Sequence, residues 1–248
     1  MRVAITILYN ALHHLRHNDW ADFMAANFDH WIVVEGLASN GGSTNWCKSL
    51  TLPPRSTDGT HEVMEDAAAI YDHIHYYSPG ARWISKDQMV QKAIAMIPVK
   101  KCYLWQVDAD EQWTKEQLVS IENRLGKSSA KVAQCQFRHH VKQYIAKGAW
   151  GSGWVKRVWK YTQGQQFKSH EPPTLTGEGK QILQVPEKFE HFSYTFEQDV
   201  AFKSKYYRGY EQLQEKWRSL PDREVLTINH LFSRGNPIGR SATKLIRQ

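Results

Sequence analysis

Asp108, Asp110 and Glu111, in the run CYLWQVDADEQWT from Cys102 to Thr114, have the spacing that most directly suggests chemistry in this chain. Two acids at i and i+2 lie on one side of an extended segment, and at a strand end both can reach one hard divalent cation through oxygen. Such a cation, Mn2+ or Mg2+, neutralises a diphosphate. A plainer role competes, because acids just ahead of a helix beginning near Thr114 suit its N-terminal dipole. Placement separates the two. Cys102 to Val107 reads as a strand buried on both faces, as in a parallel sheet, and open α/β sheets bind ligands at the carboxyl ends of such strands. Asp110 is therefore expected at the metal, Asp108 at the metal or a ribose, and Glu111 at the cap of the next helix.

Other candidates lie far away in the chain. Glu35 ends the apolar run HWIVVE, where a carboxylate accepts hydrogen bonds from a ribose or base unless it is merely solvated. His191, flanked by Phe192 and Tyr194, is either a satisfied core histidine or a neutral imidazole completing the metal set of Asp108 and Asp110. Glu171 stands between His170 and two prolines; a rigid segment of this kind can fix a general base, or it is a turn with an exposed acid. Trp150, Trp154 and Trp159 offer flat faces for sugars or bases, although most tryptophans are core. His13 and His17 have a zinc-like i, i+4 spacing, but no nearby acid or third ligand accompanies them, and zinc is not expected there. Lys203, Lys205, Arg208, Arg234, Arg240, Lys244 and Arg247 could hold phosphate, with a solvated face the plainer role for most.

The elements that must position these residues follow from hydrophobic pattern. Strands are expected at Val3–Tyr9, His30–Glu35, His73–Tyr77 and the acidic run, with helices over about 12–27, over Thr60–Tyr71, after the capping pair Ser85/Gln88 and after Thr114/Gln117. Alternation of this kind implies a mostly parallel central sheet flanked by helices, a single Rossmann-like α/β domain. It divides into 1–126, 127–220 and an extension at 221–248. Beyond Gly126 strand patterns return at Val132–Tyr144, Trp150–Tyr161, Gln181–Val185 and Phe189–Tyr194, and a basic, aromatic helix spans about 197–217. The Ser/Thr/Asn/Gly/Pro-rich stretch Leu37–Gly59 is much longer than an ordinary connection and is a candidate lid.

Composition bounds the rest. A length of 248 residues suits one large domain, and no apolar run reaches the roughly 18 to 20 residues of a membrane span. The three cysteines are odd in number and widely spaced, so a reducing, cytoplasmic setting is expected. A net charge of +7 favours anionic partners, without a basic run that would single out nucleic acid.

With TILYN, IVVEG, SKDQMVQKA, VDADE, HEPP and HFSY in view, the chain resembles the GT-A fold nucleotide-sugar glycosyltransferases over about residues 3–210, closest to small family-2-like and β-1,4-N-acetylglucosaminyltransferase-like members. The resemblance implies a metal-dependent enzyme that moves a sugar from a nucleoside diphosphate donor, such as a UDP-sugar, to an acceptor hydroxyl. It implies Asp108 and Asp110 on Mn2+ or Mg2+, His191 completing that site, and Glu35 on the nucleoside, with Tyr9 and Asn10 of TILYN beside the donor. Inverting members use a carboxylate base, a role that falls to Glu171, although the usual acidic pair is missing in its common form. Alternatives are a nucleotidyltransferase of related fold, which lacks here a Gly-rich basic segment after strand one, and a nucleic-acid-binding protein. Nucleic acid as the acceptor of the sugar would unite both readings.

Overall fold

The structure, a computed structural model, describes residues 1–148, 150, 153–232 and 243–248. Strands and helices alternate through the first half: β1 (Arg2–Leu8), α1 (Leu12–Leu15), α2 (Trp20–Asn27), β2 (His30–Glu35), α3 (Thr60–Ile70), β3 (Ile74–Tyr77), α4 (Lys86–Ala95) and β4 (Lys101–Gln106). The short β5 (Glu111–Gln112) leads into α5 (Lys115–Lys127). Strands then dominate: β6 (Val132–Val141), β7 (Tyr144–Lys147), β8 (Trp154–Thr162), β9 (Phe167–Ser169), β10 (Thr174–Leu175) and β11 (Ile182–Tyr194). Helices α6 (Glu197–Tyr206) and α7 (Leu213–Arg218) precede the last strands, β12 (Val225–Thr227) and β13 (Lys244–Arg247).

Strands β1 to β4 are all parallel, as their doubly apolar character demands. Alternate residues of one strand serve opposite cores: Val3 and Ile5 pack with α4 residues such as Met89 and Val90, while Ala4 packs with Met24, Met64 and Leu118. The helix starts follow local chemistry. Ser85 Oγ accepts the Gln88 N–H at 3.1 Å, and Thr114 and Gln117 close a reciprocal capping box ahead of α5.

Among the described residues the large sheet runs β12, β13, β7, β6, β8, β4, β1, β2, β3, with β11 beside β6 and β5. The fold is α/β, parallel in its first half and mixed in its second, where β8 enters antiparallel between β4 and β6. From β1 the chain steps out to β2 and β3 on one side, then crosses back to β4 on the other, so the loops leaving β1 and β4 diverge and open a crevice.

Four segments differ from their hydrophobic pattern. The expected helix over 12–27 is broken between α1 and α2, where Asn18 and Asp19 are both left-handed (φ 50° and 53°). The basic helix over 197–217 divides into α6 and α7 around Gly209, whose φ of 80° favours glycine. The two strands expected across 181–194 are one bulged strand, β11. Finally, the C-terminal segment is part of the sheet: β13 pairs with β7, and Leu226, Ile228 and Leu245 join a core with Tyr144, Tyr194 and Tyr210. No helix among the described residues is long and apolar enough to cross a membrane.

Candidate active site

A cleft of about 460 Å³ occupies the crevice and is lined by Tyr9, Asn10, Asp108, Asp110, Arg157, Glu171 and His191. Sequence reasoning expected six of these seven in the site, although they come from widely separated segments. The exception is Arg157.

The acidic run forms one wall, and its three carboxylates part company. After β4 the chain turns, with the Glu111 N–H donating to the Asp108 carbonyl at 3.0 Å, so the i, i+2 alignment of an extended strand is lost. Asp108 accepts from Arg157 Nη2 at 2.8 Å, and Arg157 Nε donates to Glu111 Oε1 at 2.8 Å. Glu111, expected to cap a helix, is instead a fully buried counter-ion in β5. Burial works against the Arg157 cation, but Glu111 and Asp108 overcome it and hold the guanidinium charged. Asp108 thus bonds to Arg157 through Oδ2 while still lining the cleft.

Asp110 faces the other way. Pairing of β5 with β11 sets His191 opposite Glu111 in register, and His191 Nε2 lies 3.3 Å from Asp110 Oδ2, with Lys203 Nζ at 3.9 Å. Burial alone would raise the Asp110 pKa, but His191 and Lys203 more than offset it and hold the carboxyl well below its ordinary value. Behind His191, His139 Nδ1 lies 3.0 Å from His191 Nδ1. Burial, reinforced by His191 and Lys203, keeps His139 neutral, so its Nδ1 can accept a hydrogen bond from His191 Nδ1 and fix that ring beside Asp110. An ionised carboxylate and an imidazole nitrogen are suitable ligands for Mn2+ or Mg2+, with diphosphate oxygens and water to complete the shell.

Glu171 lines the same cleft. Asp87, in the first turn of α4, accepts from Ser43 N–H at 2.7 Å and from His170 N–H at 2.7 Å, and the Ser43 hydroxyl also bonds to it. Ser43 Oγ in turn accepts the Glu171 N–H at 3.2 Å, so one carboxylate fixes the backbone on which Glu171 sits. Partial burial in the cleft raises the Glu171 pKa; Asp108 adds to the rise, while Lys86 and Arg157 oppose it.

The remaining expected donor ligands brace rather than line the cleft with free polar groups. Glu35 is fully buried outside the cleft wall, accepting from Ser56 N–H and Oγ, both at 2.6 Å, and from Ser78 Oγ at 2.7 Å. Its carboxylate is spent on the long loop, which corrects the expected nucleoside contact. Tyr9 and Asn10 do reach the cleft, but the Tyr9 hydroxyl donates to the Pro53 carbonyl at 2.9 Å and Asn10 Oδ1 accepts the Thr57 N–H at 2.8 Å. The loop Leu37–Gly59 is therefore a tethered wall and not a free lid, held by Glu35 at Ser56, Asp87 at Ser43 and Tyr206 at Lys48.

The aromatic and basic candidates sort in the same way. Trp159 is core and Trp154 lies exposed outside the cleft, whereas Trp150 lines it against His139, with ring centroids 4.0 Å apart. Trp46, half exposed at the mouth, stacks on Tyr207 at 5.0 Å. Of the basic residues expected at phosphate, Lys203 lines the cleft, while Lys205, Arg208 and Lys244 do not and Arg247 pairs with Asp222. Arg234 and Arg240 lie outside the described residues. Arg157 left only a faint signal in the sequence: in the strand WVKRVW adjacent Lys156 and Arg157 point to opposite faces, so one of them faces inward and needs a buried acid.

No protein-family model matches the sequence, and no curated protein matches it. Among solved structures, residues 1–349 of S. aureus TarS share 11% identity with a TM-score of 0.47, covering 88% of this chain and 69% of that one. The same TarS segment in complex with UDP is similar at 11% identity and a TM-score of 0.46, covering 95% of this chain and 74% of that one. The 4-diphosphocytidyl-2C-methyl-D-erythritol synthase from Anaerococcus prevotii shares 10% identity with a TM-score of 0.41, covering 78% of this chain and 88% of that one. Likenesses at this level assign no activity, which is argued below from the cleft alone.

Proposed function

We propose that this cleft transfers a sugar from a nucleoside diphosphate donor to an acceptor hydroxyl with inversion at the anomeric carbon. The observation that carries the reading is one cleft that holds both kinds of group. Asp110, His191 and Lys203 cluster at the sheet switch point, where a diphosphate would lie, and Glu171, with a raised pKa, lines the same cleft. Asp110 and His191 would hold Mn2+ or Mg2+, which would supply charge stabilisation for the departing diphosphate. Lys203 adds a fixed cation on the same side, where negative charge develops.

On the other side the acceptor oxygen forms the new bond to the anomeric carbon while its proton passes to the Glu171 carboxylate. The bond from that carbon to the diphosphate breaks, and its electron pair leaves with the nucleoside diphosphate. Arg157, by bonding Asp108 and Glu111 on either side of Asp110, fixes the turn that carries it. The aromatic rim of Trp46 and Tyr207 suits the flat face of a sugar ring or another ring-bearing acceptor. On this reading residues 1–126 hold the donor and 127–220 the acceptor side, and three free cysteines fit a reducing cytoplasm.

The test is a panel of nucleotide sugars incubated with Mn2+ or Mg2+, with release of nucleoside diphosphate as the readout. One donor should be hydrolysed slowly without acceptor, and chelator should stop it. Diphosphate release from a nucleoside triphosphate plus a sugar phosphate, with no donor hydrolysis, would instead establish a nucleotidyltransferase.

A further inference from the structure

A second cluster of ligating side chains lies between the main cleft and a neighbouring cavity of about 450 Å³, sharing Tyr9, Asn10, Asp199, Phe202 and Lys203 between them. His13 and His14 follow β1 on the short α1, and Asp199 stands in the first turn of α6. His14 lines the main cleft and His13 the neighbouring cavity, and both rings turn to the same carboxylate. His13 Nε2 lies 3.1 Å from Asp199 Oδ1, and His14 Nε2 lies 2.8 Å from Asp199 Oδ2. One ligand atom from each of the three groups falls within 4.8 Å of the others.

Three ligating groups from two elements converge within 4.8 Å, and each oxygen of Asp199 faces a different imidazole nitrogen. Ligand atoms about 2.0–2.2 Å from one ion stand about 3 to 3.5 Å apart, so the 3.1 Å pair has that spacing and the 2.8 Å pair must open slightly to admit an ion. Phe196 presents its edge to both imidazoles at 5.2 Å, an apolar backing that strips competing water from the ligands. Lys203, one turn beyond Asp199, donates to the Ser193 carbonyl and leans towards Asp110, so its cation faces the other centre.

We propose that His13, His14 and Asp199 form a second metal site, for a divalent first-row transition ion such as Zn2+. Two imidazoles with one carboxylate are the ligand set such ions prefer, and Mg2+, which prefers oxygen, is a poor fit. The ion joins α1, at the exit of β1, to α6, 186 residues along from His13. Its remaining positions are open to the two cavities. The site does not depend on the donor reading, because none of its ligands is needed to hold the diphosphate.

The experiment is a Co2+ titration of the full chain, metal-stripped and without a histidine tag or nucleotide, followed by the visible d–d absorption of the bound ion. Saturable binding of one equivalent is expected, weakened at least tenfold by His14→Ala and by Asp199→Asn and unchanged by Asp110→Ala. Zn2+ should compete for the site and raise the melting temperature of the wild type but not of His14→Ala. Should Asp199→Asn fail to fold, His13→Gln, at the half-buried end of the cluster, gives the same reading with less disturbance to the core. Absence of nucleotide-free Co2+ binding, or binding that survives all these ligand variants, would overturn the site. Binding lost only in Asp110→Ala would do the same, while loss of donor binding in that variant leaves this proposal standing.

Discussion

Within one turn, two ends of the same acidic run behave in opposite ways. At one end Asp108 and Glu111 are taken up by Arg157, and the group compensates itself: a buried cation with two acids on it. At the other end Asp110 has His191 and Lys203 beside it, at 3.3 and 3.9 Å, and lines the cleft. The closed end supplies rigidity and the open end supplies chemistry. Acids that look alike in a motif are therefore told apart by their cationic neighbours, which come from β8, β11 and α6.

The largest effect should come from breaking the closed end. Arg157→Leu leaves the fully buried Glu111 without its counter-charge, and equilibrium denaturation should show a loss of about 3–5 kcal/mol. A loss well under 1 kcal/mol would mean that the network does not hold the turn. Next comes Glu171, on the same cleft as the open end. Glu171→Gln should preserve donor affinity and lower transfer by about a thousandfold, as removal of a general base does. The sign of its pH dependence follows from its raised pKa: the base works when deprotonated, so kcat/KM should fall as pH drops through a value above that of an ordinary glutamate. An acid limb at or below the ordinary value, or one that persists in Glu171→Gln, would assign the base elsewhere.

The smallest effect sharpens the comparison from a distance. Asp87→Asn weakens the ties to Ser43 and His170 that set the backbone of Glu171, and should lower kcat about tenfold with donor affinity unchanged. If KM for the donor changes and kcat does not, Asp87 shapes the donor pocket instead.

Much of the frame was legible in the chain because it rests on local rules. The apolar strands, the Ser85 and Thr114 caps and the position of VDADE beyond β4 follow from periodicity and capping. The helix break at Asn18 and Asp19 was masked by the apolar spacing that runs across it, although Asn and Asp are the side chains that most readily turn left-handed. Asp110, His191 and Glu171 were singled out from residue type and placement, and the structure brings them to one cleft. The partners of Asp108 and Glu35 were not legible, since each is distant in sequence: Arg157 for one, Ser56 and Ser78 for the other. His14 and Asp199 were hidden for the same reason, 185 residues apart and without a motif between them.

The central claim, that Asp110 and its neighbours hold a metal-bound donor diphosphate, is tested most directly by calorimetry. A panel of nucleoside diphosphates is titrated with Mn2+ into the wild type and into Asp110→Ala, whose melting temperature should stay close to that of the wild type. One nucleotide should bind the wild type only when Mn2+ is present, with affinity in Asp110→Ala reduced on the order of a hundredfold. Equal binding in chelator, or undiminished binding to Asp110→Ala, would contradict it.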